Sequence, residues 1–435
     1  MNHATNPGFT LALIKTHLDD ANMFRSWFGL GVNSTWETQA ANMTIPLDMD
    51  ANIILEFQGM NGSVSVKQAD VILIDDFLDF SNSHATSLAD LDYYAAKQSN
   101  NGPGMTYGVF SIVANEISPS GCSSYTYDLW ASQPYVRAPW FQFSEQLVDN
   151  YQQNGGTHPA YPFLTGVGGA NRVAPFGFLG LRLLVDAFNV DPSLPPQIPR
   201  IDYRTIYWQG HAINATSNQT HTTITRLPWS LPTRNTTYDS APIPVIQGYS
   251  QSSTPLPPNG TIVLTNRQIG LNQTWPGNIA QCLPVTSPQE FVAGQFPLAA
   301  VDGAVSTKWQ PVAANVTSSI TVHLTDYTFH PIKGFRFDWA QNPPQWFSIQ
   351  FHNQTVFTAN EVMNVTTMQT VQVSSPFDPV AAALIAPYVS NSTNITLDKP
   401  VWDARYATLS IYGNQGDSSS DAVGATVAEW AIIQA

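Results

Sequence analysis

Residues 64–74 read VSVKQADVILI. An apolar run is interrupted by Lys67, Gln68 and Asp70, then resumes as Val71, Ile72, Leu73 and Ile74. Four consecutive apolar residues want to be buried, whereas an ammonium, an amide and a carboxylate want water or a polar ligand. The run is therefore expected to be core and its head a wet rim. A neutral sugar is held by amide and charged side chains that bond neighbouring hydroxyls, and Lys67 and Gln68 supply donors and an acceptor at adjacent positions. Taken by themselves the residues also fit a plain reading, the polar end of a buried element.

Around this stretch the pattern is helical. Leu11, Ile14, Leu18, Ala21 and Phe24 recur at intervals of three and four, which predicts a helix over them. Tyr107, Phe110, Ala114 and Ile117 mark another. Ser87 is expected to cap a helix through Leu88, Leu91 and Ala95, with Asp90 completing a capping-box-like pattern. Pro139 suits the first turn of a helix running through Glu145 towards Tyr151. Gly166, Gly168 and Gly169 are expected to break the chain before a last apolar helix from about Pro175 to Phe188. The proline-rich DPSLPPQIPR then marks a boundary. Beyond it alternation replaces helical periodicity in RIDYRTIYWQGHAI, HTTITRL and GTIVLTN, and, after a further break near NQTWPGNIAQ, in SITVHL, GFRFDWA, WFSIQF, TVQV and YATLSIYG. GNQGDSSSD is expected to be a polar loop. The fold class expected is a multidomain α + β protein, helical first and then two antiparallel β-sandwiches.

Composition narrows the function. The 435 residues are too many for a single core. With 17 basic against 31 acidic residues and a formal charge of -14, nothing is basic enough for a polyphosphate, so nucleic acid is not an expected partner. No apolar run approaches the roughly 20 residues of a membrane helix. Sequons are dense, at Asn33, Asn42, Asn61, Asn214, Asn218, Asn235, Asn259, Asn272, Asn315, Asn353, Asn364, Asn391 and Asn394, which points to a glycosylated secretory protein. The first ten residues, MNHATNPGFT, nevertheless have neither the basic nor the apolar region of a signal peptide. The only cysteines, Cys122 and Cys282, fall in different expected domains, and both are expected to be free. The nine histidines show no metal-ligand spacing, and neither a dinucleotide fingerprint nor a nucleophile elbow occurs, so no cofactor or metal is expected.

The chemistry left is that of carboxylates. Glu145 follows Arg137, Trp140, Phe141 and Phe143 in RAPWFQFSEQLVDN. A carboxylate among aromatic rings has a raised pKa and serves as an acid or base; the alternative is a solvent-facing glutamate on an amphipathic helix. Other candidates are Glu37, Glu56, Asp70, Asp75, Asp76, Glu116 and Asp149, and nothing internal picks out a pair. His158 and Tyr161, in a glycine-rich and aromatic stretch, suit either the wall of a pocket or a packed loop.

Several separated stretches, FTLALIKTHL, ANIILEFQGMNGSVSVKQADVILI, DYYAAKQSNNGPGMTYGVFSIVANEI, YVRAPWFQFSEQLVDN and HPAYPFLTGVGGANRVAPFGFLGLRLL, resemble, in order, the secreted acid trehalases of fungi in glycoside hydrolase family 65. AAVDGAVSTKWQP, GFRFDWAQNPPQWFSIQF and GATVAEWAII resemble a discoidin-type (coagulation-factor type C) sandwich. The resemblance implies residues 1–190 as the C-terminal part of an (α/α)6 catalytic toroid, 191–275 as the family's β-sandwich, and 276–435 as a discoidin-like, galactose-binding-like sandwich. It implies Lys67 and Gln68 as sugar ligands, Asp70 as orienting them, the run after Gln68 as a buried toroid helix, and Glu145 as the general base of an inverting hydrolysis of α,α-trehalose to two glucoses. QSNNGPGMTY stands where the family's phosphorylases carry a serine-rich phosphate loop and lacks its serine pair, which favours water over phosphate. Trehalose or related glucosides are the implied ligands. A cell-wall glycan is a candidate partner, and the cell wall, periplasm or vacuole the implied place. The alternative is a non-catalytic carbohydrate-binding protein acting through the discoidin-like part, with Trp309 offered for stacking although core in that fold.

One departure is large. The family's general acid is the glutamate of an Asp-Pro-Asp-Glu motif just upstream of the stretch matching residues 1–10, and that motif is absent from these 435 residues. Loss of leaving-group protonation alone removes about 10²–10⁴-fold in rate. The chain by itself is therefore expected to release no useful glucose from trehalose. Glucose release that disappears in Glu145→Gln would overturn this.

Overall fold

The computed structural model describes residues 4–434 except 69, 79, 81, 100–101, 249, 270–271, 325–330, 353–361, 371–383, 387, 389, 403, 418 and 420, and only the backbone over 362–370. It is a mixed α/β protein. Helices come first: α1 Gly8–Trp27, α2 Ser34–Ala41, α3 Ile72–Asp76, α4 His84–Ala95, α5 Thr106–Ile117, α6 Ser123–Ser132 and α7 Leu164–Arg172. Their core gathers Val71, Ile72 and Ile74 with Tyr94, Phe110, Tyr127 and Tyr135. The helices over 11–24 and 107–117 lie where periodicity expects them.

Four expectations fail here, each for a local reason. Ser83, not Ser87, caps α4 by accepting from the Thr86 amide. Ser87 lies inside the helix and donates to Asp75, while Asp90 accepts the Ile54 amide at 2.8 Å. No helix starts at Pro139: Val136–Arg137 and Gln142–Phe143 pair as a short hairpin, with Phe141 left-handed at φ 53° in its turn. Gly166, Gly168 and Gly169 do not break the chain but lie inside α7. A Cβ on Gly108 of α5 would stand 2.7 Å from the Gly169 carbonyl, so glycine lets the two helices touch backbone to backbone. A single π-helical turn, Val173–Phe178, follows, and Phe188–Val190 is a strand rather than the end of an apolar helix.

Strands dominate beyond residue 188. Thr261–Thr265, His221–Ser230, His211–Asn218 and Arg200–Asp202 form one sheet, with Ile206–Trp208 also on His211–Asn218. Ser252–Leu256, Ile243–Gln247 and Phe188–Val190 form another, and the last pairing is parallel rather than antiparallel as expected. Phe188, Trp208, Ile224 and Val245 share the core of both sheets. Further on, Val285–Thr286, Ser318–His323, Tyr406–Tyr412, Trp346–His352 and Val362–Thr370 form a five-stranded sheet, which shares one core with the three strands Ser392–Val401, Ile332–Asp338 and Glu429–Gln434. Phe335, Phe337 and Trp339 alternate onto one buried face as expected and meet Phe347 and Trp430. Of the expected strand TVQV, only Thr370 falls among the described residues.

Helices and late strands meet at a buried polar seam. Cys122 and Cys282 are not free: they are joined by a disulfide, with Cα atoms 5.7 Å apart, across a sequence separation of 160. Position along the chain misled here, because the two cysteines are brought together by tertiary packing. Beside the bridge, Oδ2 of fully buried Asp302 accepts from Thr126 of α6 and from Thr307, each at 2.6 Å. Glu429 accepts from the Gly303 amide at 2.9 Å and from Asn278 at 3.2 Å. Gly303 has φ 79°, and a Cβ there would meet Ser120 at 2.8 Å. Asp92 of α4 and Asp338 border the same seam. Burial, opposed by the threonine bonds, lifts Asp302 to about 7, and burial lifts Asp92 to about 7. Burial and the neighbouring Asp302 push Glu429 well above the carboxylate range, and burial raises Asp338.

Folded values above the unfolded ones mean that this stability is complete below about pH 4 and is lost as pH rises through about 7. Melting temperature measured from pH 4 to 8 is expected to fall progressively from about pH 4 to about pH 7. Glu429→Gln, which cannot ionise, is expected to make that fall shallower. An unchanged pH profile in that variant would count against the seam as its source.

Candidate active site

Lys67 and Gln68 sit on a turn anchored on both sides. Upstream, the Val66 amide donates to the Lys97 carbonyl at 2.9 Å and the Ser99 amide donates to the Val66 carbonyl at 2.8 Å. Downstream, Val71, Ile72 and Ile74 are fully buried, and the run forms the five-residue α3, shorter than the helix the resemblance implies. The head is thereby left at the surface, with the Lys67 side chain 64% exposed. Gln68 lines a cavity of about 370 Å³ with Leu73, Phe77, Thr106, Gly168 and Arg172.

Glu145, from a distant part of the chain, comes to the same place. Its Oε1 lies 3.6 Å from Lys67 Nζ, and its side chain is 22% exposed. No helix carries it. Its amide donates to the Ala160 carbonyl at 3.0 Å and its carbonyl accepts the Gly104 amide at 2.7 Å. Its Oε2 accepts the Ala160 amide at 2.9 Å. One carboxylate oxygen is thus fixed by backbone, while the other faces an ammonium. The loop of His158 and Tyr161 reaches Glu145 through its backbone, whereas His158 stacks on Tyr151 with centroids 4.8 Å apart and Tyr161 is half exposed. The rings expected to shield Glu145 do otherwise: Trp140 and Phe141 stand exposed on the hairpin turn.

Most other candidate carboxylates are engaged elsewhere. Asp76 is buried and receives both guanidinium nitrogens of Arg172, at 2.7 and 2.8 Å. Arg172 lies over the rings of Phe77 at 3.9 Å and Phe176 at 4.8 Å, and with Phe77 it lines the cavity. Sequence reading gave Arg172 no role, and its only local signal is its place at the end of the glycine helix. Glu116 pairs with Arg182 and Asp149 with Arg137. Asp75 is raised by burial and accepts from Ser87 and Asn82. Glu37 is an exposed residue in the first turn of α2. Asp70 and Glu56 lie directly behind the Lys67 turn, and burial first and the nearby Asp70 second push Glu56 up to about 8. Among the described residues no group of His, Cys, Asp and Glu is arranged to hold a metal, and no helix is long and apolar enough to cross a membrane.

Residues 181–239 match the family model "Glycosyl hydrolase family 65, C-terminal domain". Over 98% of its length the chain is 49% identical to a cell wall acid trehalase of Arthroderma benhamiae, covering 44% of that protein. It is 46% identical over 99% of its length to an acid trehalase of Emericella nidulans, covering 43%. Over nearly its whole length this chain is similar to fungal acid trehalases. It spans less than half the length of these two curated relatives. Among solved structures, a putative kojibiose phosphorylase from the human microbiome matches with TM-score 0.37 and 14% identity, over 54% of this chain and 32% of that one.

Trp309, offered for sugar stacking, is fully buried and its face is closed to a ligand. The sequons separate in the fold. Asn42, Asn61, Asn214, Asn218, Asn235, Asn259, Asn272, Asn315 and Asn394 are exposed, and Asn33 is half-buried and caps α2. Asn391 is buried and its amide donates to the Ala340 carbonyl. Asn353 and the side chain of Asn364 lie outside the described residues. Glycopeptide mapping of protein made in a secretory host is expected to find glycan at several exposed sites and none at Asn391. Asn391→Ala is expected to destabilise by about 1–3 kcal/mol, because it orphans a buried carbonyl; occupancy at Asn391 would contradict the fold there.

Proposed function

We propose that this chain carries the sugar-holding and water-activating half of an acid α,α-trehalase site, with Lys67 and Gln68 as sugar ligands and Glu145 as the general base. The observation that carries the reading is the meeting of Lys67 and Glu145, distant in sequence, at 3.6 Å beside the Gln68-lined cavity. The identity of nearly half the aligned residues to acid trehalases supports the substrate. Inverting hydrolysis of trehalose to two glucoses needs one carboxylate to take a proton from the attacking water, and one carboxylic acid opposite it, roughly 6.5–9.5 Å away, to protonate the leaving oxygen. Glu145 suits the first role. Its backbone-held Oε2 fixes the orientation, and Lys67 Nζ stands 3.6 Å from Oε1. Lys67 also leaves three donors for sugar hydroxyls, and the Gln68 amide donates and accepts beside it.

The domain reading belongs to this proposal: residues 1–190 as part of an (α/α)6 toroid, 191–275 as a β-sandwich, and 276–435 as a discoidin-like sandwich. The names of the relatives, which place them in the cell wall, the periplasm or outside the cell, support an extracellular or cell-wall location for this chain.

Calorimetry with trehalose at pH 5 tests the ligand roles: Lys67→Ala and Gln68→Ala are each expected to weaken binding at least tenfold. In any longer form that hydrolyses trehalose, Glu145→Gln is expected to lower kcat by about 10²–10⁴-fold with KM little changed. Unaltered kcat in Glu145→Gln would remove the base from the scheme.

A further inference from the structure

A second cavity, of about 400 Å³, lies where α5 and the π-helical turn meet the strand Phe188–Val190. It shares no lining residue with the cavity at Gln68. Five separate parts of the chain build it. Helix α5 contributes Glu116, the π-helical turn Phe176, the strand Asn189, the loop after Ile243–Gln247 Gln251, and the chain beyond Thr261–Thr265 Arg267.

Ion pairs fix the walls. Arg182 pairs with Glu116 and donates to the Phe176 and Leu181 carbonyls at 3.0 and 3.1 Å. Arg267 pairs with Asp191 at 2.8 Å and donates to the backbone carbonyls of Glu116 at 3.2 Å and Asn115 at 3.0 Å. Gly180, at φ 62°, lets the loop carrying Arg182 close on Asp191, since a Cβ there would stand 2.5 Å from the Asp191 carbonyl oxygen. Two carboxylates thus answer two guanidiniums. An added anion would meet the carboxylates, and an added cation the guanidiniums.

The polar capacity left over is mostly that of acceptors. Glu116 engages Arg182 through Oε2, and its side chain is 41% exposed. Asn189 donates to the Ala187 carbonyl at 2.9 Å, and Gln251 donates to the Gly248 carbonyl at 2.6 Å. Glu116 Oε1 and the amide oxygens of Asn189 and Gln251 accept no hydrogen bond among the described residues. His84 and Gln251 are exposed, so the cavity opens to solvent. Phe176 adds an aromatic ring, steadied by the Arg172 guanidinium at 4.8 Å.

We propose that this cavity is a second carbohydrate site, which takes a neutral hexose monosaccharide. A hexose carries no charge and is rich in hydroxyl donors, which suits walls that are charge-balanced and rich in acceptors. Its hydroxyls donate to Glu116, Asn189 and Gln251, and its C–H face lies against Phe176. The volume is at the small end of ligand pockets and admits one sugar ring with a few waters. The site stands independently of the roles proposed for Lys67 and Gln68.

The test is calorimetry with D-glucose on the full chain, run in the wild type and in Lys67→Ala so that the first site does not enter. Lys67→Ala is expected still to bind glucose. Adding Gln251→Ala or Glu116→Gln to it is expected to weaken that binding about three- to tenfold, the effect of one hydrogen bond. Gln251 is exposed on a loop, so its variant keeps the test sound if loss of the Glu116–Arg182 pair disturbs folding. Inorganic phosphate is expected not to displace the sugar. Loss of all glucose binding in Lys67→Ala, unchanged affinity in the Gln251→Ala and Glu116→Gln forms, displacement by phosphate, or no binding in any form would each overturn the second site.

Discussion

Lys67 and Gln68 can stand at the surface because the residues after Asp70 are driven inward. Burial of Val71, Ile72 and Ile74 fixes one end of the turn, and the backbone bonds of Val66 to Lys97 and Ser99 fix the other. An apolar side chain of this size gains about 1.5–3 kcal/mol by full burial, which is ample to hold a polar turn of four residues in one place. The cavity follows from the same constraint. Residues of α3, α5 and α7 line it, and Arg172 among them is held by Asp76 and two phenylalanine rings.

A second constraint runs through the whole chain. It has 31 acidic residues for 17 basic ones, so its carboxyl groups cannot all find cations. Some are satisfied by arginine, as Asp76, Glu116 and Asp149 are. Others are buried against hydroxyls, amides and one another: Glu56, Asp70 and Asp90 behind the Lys67 turn, and Asp92, Asp302, Asp338 and Glu429 at the seam. Each such group is comfortable while protonated. The two clusters make acid pH the condition under which both the site turn and the join between helices and late strands are most secure.

Local sequence was informative wherever one period dominated. The 3.6-residue spacing over 11–24 and 107–117 and the alternation of Phe335, Phe337 and Trp339 each matched what formed, since a single buried face dictates each pattern. It misled where a local signal has two uses. Proline at 139 can start a helix or shape a hairpin, and here strand pairing across it prevails. Glycines at 166–169 can break a helix or let one lie against another, and contact with Gly108 selects the second. Serine at 83 or at 87 can cap, and the position of the helix start selects the first.

The sequence by itself determined the polar head and apolar tail of 64–74, the order of helices before strands, and the shortage of cations. These follow from residue type and spacing, which chain neighbours alone display. Tertiary structure decided that Lys67 meets Glu145, that Cys122 meets Cys282, that Arg172 sits under the cavity, that Trp309 and Asn391 are closed off, and that Glu56 lies behind the turn. The partners in these pairings are separated by up to 160 residues, and no periodicity within a helix or strand encodes a contact between segments that only packing brings together.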